Sequence, residues 1–174
     1  MTSVFLSGPP AAGKRTIAAA LCQLRELALF HNHLVVDPIL SLYPFGTPGF
    51  VALRDRWWRS ALEVFCREDT DVVFTFAVED TVPQAFVDDL FASAEARWVH
   101  VALTCPDDVL EARMGRADRA TFGKLTDWTR YGELREKGTF SLPLLPTPDL
   151  TLDASAGTAQ QTARRIHAYL DARG

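Results

Sequence analysis

Gly8-Pro9-Pro10-Ala11-Ala12-Gly13-Lys14-Arg15-Thr16 is the stretch that decides the fold of this chain. The apolar run Val4-Phe5-Leu6 precedes it, and the helix-forming run Ile17-Ala18-Ala19-Ala20-Leu21 follows it. Glycine near both ends lets the backbone turn tightly, so that successive N–H groups point at one centre. The N-terminus of the following helix adds partial positive charge at that centre. The order of strand, loop and helix therefore predicts a binding site for an anion.

The spacing of the two glycines and the lysine makes this prediction more specific. Gly-x-x-x-x-Gly-Lys is typical of the phosphate-binding loop, or Walker A motif, of proteins that bind nucleoside triphosphates. The alternative is a Pro/Gly turn that only caps a helix, but a position directly after the first strand favours phosphate binding. Lys14 would then reach the β- and γ-phosphates of ATP. The nucleotide-binding residues expected in the loop are Gly8, Ala11, Ala12, Gly13, Lys14, Arg15 and Thr16.

The residue after the lysine departs from the usual motif. That position normally holds Ser or Thr, whose hydroxyl binds magnesium. Here it holds Arg15, and the hydroxyl comes one place later, at Thr16. We therefore expect Thr16 to be the ligand of Mg²⁺.

Length and composition are those of an ordinary globular protein. The chain has 174 residues, of which 48% are hydrophobic and 23% are charged, which predicts a single domain over residues 1–174. The formal net charge of −4 does not favour nucleic acid as a partner. No apolar stretch is long enough to span a bilayer, so a membrane partner is not expected.

The cysteines and the early first strand predict the cellular compartment of the protein. Cys22, Cys66 and Cys105 are odd in number, lie far apart and form no Cys-x-x-Cys pair, which argues against a zinc site or a disulfide framework. Three such thiols fit a reducing compartment. Because the first strand begins so early, we expect no signal peptide and a cytoplasmic protein.

Strands and helices alternate along the chain, a pattern that predicts a parallel sheet covered by helices. With the loop after the first strand, we expect an α/β fold, a three-layer doubly wound parallel five-stranded sheet that binds ligands at the carboxyl ends of its strands. The expected strands are Val4–Ser7, Ala28–His31, Val72–Val78, Trp98–Thr104 and Leu150–Leu152. The expected helices are Gly13 to about Leu24, Leu34–Leu42, Phe50–Arg67, Pro83–Ala96, Asp107 to about Arg116, and Gly157–Ala172.

Histidine and aspartate residues follow the second predicted strand. If a helix starts near Leu34, His33 and Asp37 lie one turn apart and share a face. A carboxylate or imidazole there can take the proton from an attacking hydroxyl. The alternative is that Asp37 caps a helix and that the histidines are polar residues at the end of a strand.

Two acidic residues, Glu79 and Asp80, follow the third predicted strand. An acidic residue at this point commonly holds magnesium through water in proteins with a phosphate-binding loop. Glu79 is the better candidate because it follows the apolar run more closely. The alternative is an exposed capping pair ahead of Pro83.

Arginines are concentrated after the fourth predicted strand. Arg113, Arg116 and Arg119 are three residues apart, which places them on one face if the segment is helical. We interpret residues of about 114–140 as a lid whose arginines close on the triphosphate and stabilise transferred charge. The alternative is a solvated surface on which Glu111 and Asp118 neutralise the arginines.

The helix predicted after Pro48 carries a second group of basic residues. Arg54, Arg56 and Arg59 accompany Trp57 and Trp58 there. An arginine of this helix can bind an anionic substrate, or the three can form the solvent face of an amphipathic helix. The tryptophans are expected in the core.

In element order the whole chain resembles the small P-loop kinases, among them shikimate kinase, gluconate kinase, adenylate kinase and chloramphenicol phosphotransferase. Three stretches carry the resemblance: the loop Gly8–Thr16, the run from Thr104 to Arg113, and Leu152-Asp153-Ala154-Ser155. The loop ending Gly-Lys-Arg-Thr is similar to the Gly-Lys-Gly-Thr ending of adenylate kinases. The resemblance implies a P-loop NTPase fold of the nucleoside monophosphate kinase type. It also implies that Ser155 lies near the adenine, with Arg116 or Arg119 stacked over it.

The resemblance does not identify the substrate that would accept the phosphoryl group. Shikimate kinases carry an Asp-x-Asp-like cluster after the second strand, where this chain has His31-Asn32-His33. Adenylate kinases carry Asp-Gly-Phe-Pro-Arg after the third strand, where this chain has Glu79-Asp80-Thr81-Val82-Pro83. Chloramphenicol phosphotransferase has an aspartate shortly after the second strand, which supports Asp37 or His33 as the base.

Together these features predict an ATP- and Mg²⁺-dependent kinase that phosphorylates a hydroxyl of a small-molecule acceptor. The alternative is a nucleotide-binding NTPase or switch protein without such an acceptor. The oligomeric state is left open. The catalytic residues expected are Lys14, His33, Asp37, Arg116 and Arg119, and the metal ligands expected are Thr16 and Glu79.

Overall fold

The computed structural model describes residues 2–92, 98–116 and 125–173. Strands and helices alternate through most of this part of the chain. The strands are β1 (Ser3–Ser7), β2 (Ala28–His31), β3 (Val72–Phe76), β4 (Trp98–Thr104) and β5 (Leu150–Asp153). The helices are α1 (Lys14–Cys22), α2 (His33–Leu40), α3 (Pro48–Arg67), α4 (Gln84–Ala92), α5 (Asp107–Met114), α6 (Trp128–Glu136) and α7 (Ala159–Asp171).

The strands form one parallel sheet in the order β2-β3-β1-β4-β5. The strand that carries the loop, β1, is central and pairs with β3 on one side and β4 on the other. All the carboxyl ends therefore lie at one edge of the sheet, where the predicted site residues follow the strands. The predicted doubly wound parallel sheet of five strands is confirmed.

Alternating side chains of the strands pack on opposite faces of the sheet. On β1, Val4 and Leu6 face one hydrophobic cluster, which also contains residues of α1, α5 and α7. Phe5 faces the second cluster, which contains residues of α2, α3 and α4. Both faces of the sheet are thus covered by helices, which explains why the strand sequences are almost continuously apolar.

Several helices and strands begin or end one or two residues from the predicted bounds. β3 ends at Phe76 rather than Val78, because its pairing with β1 ends where Ser7 meets Phe76. The helix α6 was not predicted, since only one of its residues, Tyr131, is buried and the helix has no apolar stripe. The last residues of the helix predicted at Pro83–Ala96 lie outside the described part of the chain.

In the described ranges, no helix combines the length and the apolar composition that crossing a bilayer requires.

Candidate functional site

The loop between β1 and α1 has the backbone geometry of an anion cradle. Its φ angles are +152° at Gly8, +67° at Ala11 and +89° at Gly13. A Cβ atom on Gly8 would lie 2.8 Å from the carbonyl oxygen of Leu103 in β4, so glycine is needed there for close approach as well as for its φ angle. Ala11 adopts a left-handed conformation that costs a non-glycine residue about 1 kcal/mol or more. A loop held in this form at such a cost is typical of a functional site.

The N-terminus of α1 is also suited to an anion. Gly13 is its N-cap residue, so no side chain caps the helix, and the first turn contains no acidic residue. The first N–H groups of a helix have no partner within the helix, and the helix dipole makes that end electropositive. The residues present therefore fit the phosphate groups of a nucleotide.

Lys14 lies folded over the loop that precedes it. Its Nζ atom donates to the carbonyl oxygens of Gly8 at 2.7 Å and Pro9 at 2.9 Å. The ammonium group is thus positioned at the first half of the loop. The next two residues, Arg15 and Thr16, are exposed.

Arg113 connects this loop to the turn that follows β5. From α5 its guanidinium donates through Nη1 to the carbonyl oxygen of Ala12 at 3.3 Å and through Nη2 to that of Ala154 at 2.9 Å. The sequence grouped Arg113 with the lid arginines but did not identify it as a residue that positions the loop. The signal available was its place at the end of the run from Thr104 that resembles the small kinases.

The other two arginines of that group are placed differently. α5 ends at Met114 with Gly115 as its C-cap residue, so Arg116 follows the helix and is exposed. The expectation that Arg113 and Arg116 share a helical face is therefore wrong. Arg119 lies outside the described residues, as does part of the predicted lid at 114–140.

The second strand end carries a histidine–aspartate pair. α2 begins at His33, and Nδ1 of His33 lies 2.8 Å from Oδ1 of Asp37 one turn later. The two side chains are 26% and 44% exposed, so both remain accessible to a substrate. The predicted shared face is confirmed, and the geometry fits a carboxylate held in orientation by an imidazole.

The third strand end carries a buried ion pair that the sequence did not predict. The side chain of Arg54, 1% exposed, projects from α3 and pairs with the carboxylate of Glu79. The guanidinium also donates to the Thr81 hydroxyl at 3.0 Å and to the Thr81 carbonyl oxygen at 2.7 Å. It stacks on Trp58, with the Cζ atom 4.7 Å from the ring centre. Arg54 is therefore neither an exposed anion-binding residue nor part of a solvent face, and burial lowers its pKa.

Glu79 has a second neighbour that constrains its carboxylate. The same Oε1 atom accepts from the Thr81 hydroxyl at 2.6 Å, and the side chain is 16% exposed. Within the described ranges, no three His, Cys, Asp or Glu side chains are grouped closely enough to form a preformed metal site. A magnesium ion here would need oxygen ligands from a nucleotide as well as from the protein.

A buried serine–histidine pair lies directly beneath the loop. The hydroxyl of Ser7 lies 2.8 Å from Nε2 of His100 on β4, and Nδ1 of His100 lies 2.9 Å from the carbonyl oxygen of Pro146. Because a carbonyl only accepts, Nδ1 carries the proton, and Nε2 then accepts from Ser7. Burial lowers the pKa of His100, which favours this neutral form. The pair could not be predicted from the sequence, because Ser7, His100 and Pro146 are far apart in the chain.

A cavity of about 270 Å³ adjoins the first half of the loop. Gly8, Pro9 and Pro10 form one wall, and Tyr131 and Phe140 form another. The ring centres of Tyr131 and Phe140 are 5.2 Å apart. α6 therefore supplies a wall of the candidate site, although it was not recognised in the sequence.

Ser155 follows β5 in a tight turn. Both its N–H and its hydroxyl donate to Oδ1 of Asp153, at 2.7 and 2.6 Å, and these bonds lower the pKa of Asp153. The neighbouring carbonyl of Ala154 accepts from Arg113, which links this turn to the loop. The role predicted for Ser155 beside the adenine stays a prediction.

Comparison with known proteins gives a clear result for the fold only. No protein-family model and no curated protein matches the sequence. Among solved structures, a sugar kinase from Janibacter sp. HTCC2649 is similar, with a TM-score of 0.69 and 17% identity over 98% of this chain and 95% of that chain. A shikimate kinase from Bacteroides thetaiotaomicron gives a TM-score of 0.61 with 16% identity over 98% of both chains.

A third solved structure agrees with the first two. A gluconokinase from Sinorhizobium meliloti 1021 has a TM-score of 0.59 and 17% identity over 99% of this chain and 97% of that chain. The similarity to each extends over nearly the full length of both chains, so it covers the sheet, its helices and the loop together. This chain therefore has the fold of the small P-loop kinases, as its sequence predicts.

Proposed function

We propose that the protein is an ATP-dependent kinase that transfers the γ-phosphoryl group to a hydroxyl of a small molecule. The observation that carries this proposal is the cavity against Gly8, Pro9 and Pro10, the half of the loop that Lys14 also contacts. This cavity leaves room for an acceptor directly beside the phosphate-binding loop, which a protein that only hydrolyses or senses a nucleotide does not need. The similar solved structures are those of kinases, which supports the same reaction class.

Each part of the site has a role in this proposal. The loop amides and Lys14 bind and orient the phosphates of ATP. Ser155 lies by the base, and the lid of about 114–140 brings Arg116 and Arg119 to the transferred group. Thr16 and Glu79 hold magnesium, which supplies neutralisation of phosphate charge.

The proton of the acceptor hydroxyl goes to the pair at the start of α2. The acceptor oxygen bonds to the γ-phosphorus, and the bond from that phosphorus to the β–γ bridging oxygen breaks. The products are a phosphate monoester and ADP, and the released proton is taken by Asp37, which His33 orients.

Two measurements on the full chain test the proposal. The first is equilibrium binding of ATP to the wild type and to Lys14→Ala, with Arg67→Ala, an exposed cation at the end of α3, as the control. Loss of the charged hydrogen bonds of Lys14 should weaken binding at least about tenfold. The control should bind ATP as the wild type does.

The second measurement is ADP release in the presence of sugars, nucleosides, antibiotics, hydroxy acids and aromatic alcohols, with the phosphorylated product identified by mass. Acceptor-dependent release with a phosphate monoester as product supports the kinase. Slow release that no acceptor changes would contradict it and favour an NTPase or switch protein.

A further inference from the structure

The cavity beside the loop differs chemically from a site built for an anionic substrate. Among its lining residues in the described part of the chain, none is charged. Its walls are proline, Val78, Leu103 and the rings of Tyr131 and Phe140. Transfer of a carboxylate or phosphate from water to such walls is costly unless a cation pairs with it.

The cation in contact with the aromatic wall is Arg135, whose Cζ atom lies 5.5 Å from the centre of the Tyr131 ring. Its guanidinium is already paired with Asp107 at 2.8 Å.

The cations of α3 and of the loop also have partners. Arg54, which α3 brings to the end of β3, pairs with Glu79 and donates through its two Nη atoms to Thr81. Arg59 on the same helix pairs with Asp55 at 2.9 Å and Asp89 at 2.8 Å. Lys14 donates to carbonyl oxygens of the loop. In the proposed complex it binds the phosphates of the nucleotide and not the acceptor.

The aromatic wall is closely packed and includes the hydroxyl of Tyr131. Tyr131 packs between Trp128 and Phe140, with ring centres 5.2 Å from each. Burial raises the pKa of its hydroxyl, so the hydroxyl stays protonated and can donate a hydrogen bond. The cavity volume of about 270 Å³ lies at the small end of ligand sites, which suits an acceptor and not a second nucleotide.

We propose that the acceptor is an uncharged alcohol with an apolar or aromatic body, held between Pro9–Pro10 and the Tyr131–Phe140 wall. This proposal rests on the proposed kinase function and specifies its substrate class. The acceptor's ring or alkyl body packs on the aromatic wall, and its hydroxyl points toward the loop. Hydroxy acids of the same size are rejected because their charge would be buried without a partner.

Paired probes of one skeleton test the charge preference. Benzyl alcohol and 2-phenylethanol are the neutral probes, and 4-(hydroxymethyl)benzoate is the matched anion. Binding is measured by calorimetry on the full chain loaded with a non-hydrolysable ATP analogue, and turnover is measured as ADP release with ATP. We expect the neutral probes to bind at least about tenfold more tightly than the benzoate.

Two variants locate the binding. Phe140→Ala should weaken binding of the neutral probes about tenfold or more while ATP affinity stays within about twofold of wild type. Val78→Lys adds a cation to the cavity and should reverse the preference in favour of the benzoate. The second variant keeps the test informative if the first does not fold, and circular dichroism reports folding of both.

The outcomes separate this proposal from the proposed function. Tighter binding of the benzoate to the wild type, or no binding of either probe class, would overturn the substrate class. Neutral-probe binding that Phe140→Ala abolishes, without acceptor-dependent ADP release, would support the cavity's ligand class and contradict the kinase reaction. Acceptor-dependent turnover of hydroxy acids alone would support a kinase and overturn the neutral acceptor.

Discussion

The hydroxyl of Ser7 lies 2.8 Å from Nε2 of His100, at the point where β1 ends and the phosphate-binding loop begins. The other ring nitrogen of His100 donates to Pro146, and the backbone N–H of His100 donates to Asp149 at 2.9 Å. One buried imidazole thus joins the base of the loop to the segment before β5. Protonation of the imidazole would therefore change its hydrogen bonds both to the base of the loop and to the segment before β5.

His100 should make the free energy of unfolding depend on pH. Burial lowers the pKa of His100 more than Pro146 and Asp149 raise it. The unfolded chain therefore binds a proton more readily, and the free energy of unfolding should fall as pH drops below the ordinary histidine value of about 6.5. Above that pH this contribution is constant. Urea unfolding of the wild type between pH 8 and pH 5 measures it.

His100→Gln removes the titrating group. At pH 8 it should cost about 1–3 kcal/mol, because the Ser7 hydroxyl or the Pro146 carbonyl loses its partner. The fall in stability below pH 6.5 should become smaller in this variant. His167→Gln, at a partly exposed histidine on α7 that makes none of these contacts, is the control. An unchanged slope in His100→Gln would refute the assignment.

The second prediction concerns the pair at the start of α2. Asp37→Asn removes the proposed base and should lower kcat by about 10²- to 10⁴-fold. Since the pair is partly exposed, the free energy of unfolding should change by less than about 1 kcal/mol. His33→Gln should reduce kcat less, because it removes only the group that orients the carboxylate. Equal and small effects of both variants on kcat would mean that another residue takes the proton.

The third prediction concerns the buried pair of Arg54 and Glu79. Glu79→Ala leaves a buried guanidinium without its carboxylate and should cost about 3–5 kcal/mol. Chemical denaturation should show a smaller loss for the double variant Arg54→Met with Glu79→Met, in which no charge is left unpaired. A double variant less stable than Glu79→Ala would contradict this order.

Glu79→Gln separates the structural role from the proposed magnesium role. Its amide oxygen can still accept from Arg54, but the charge of Arg54 is left uncompensated, so we expect a stability loss smaller than that of Glu79→Ala. If Glu79 also holds magnesium, the Mg²⁺ concentration for half-maximal activity should rise in Glu79→Gln at a temperature where the variant is fully folded. If the Mg²⁺ dependence of activity is unaltered, Glu79 does not bind magnesium and its role is the ion pair with Arg54.

The fourth prediction compares two glycines. Gly8→Ala places a methyl group 2.8 Å from the backbone of Leu103 at a φ of +152°, so it should lower both stability and ATP affinity. Gly132→Ala on α6 meets no atom within 4 Å and should stabilise the protein by about 0.5–1 kcal/mol. Thermal unfolding and ATP titration of both variants measure these effects. Equal stability of the two would rule out the close packing of Gly8.

The sequence predicted those features that depend on local pattern. β2 and β4 lie at the predicted bounds because β-branched and apolar runs end at polar residues there. The one-turn spacing of His33 and Asp37 was readable for the same reason, since helical periodicity alone brings them together. α6 was missed because its single buried residue, Tyr131, gives no periodic signal.

Features that depend on distant partners were not readable. Arg54 looked like a surface residue beside two tryptophans, and only the folded chain brings Glu79 and Thr81 to it. In the same way, His100 was one polar residue in an apolar strand until Ser7 and Pro146 were placed around it. Side-chain pairing across the sheet edge is a property of the topology, and no spacing rule gives it in advance.

The guanidinium of Arg113 has consequences for how a ligand would enter. It is a planar group whose two Nη atoms lie a fixed distance apart, and one contacts Ala12 while the other contacts Ala154. Arg113 therefore acts as a spacer that sets the width between the loop and the end of β5. Because both contacts are already formed before a ligand binds, little ordering of the loop against β5 remains to oppose binding of a molecule that contacts both.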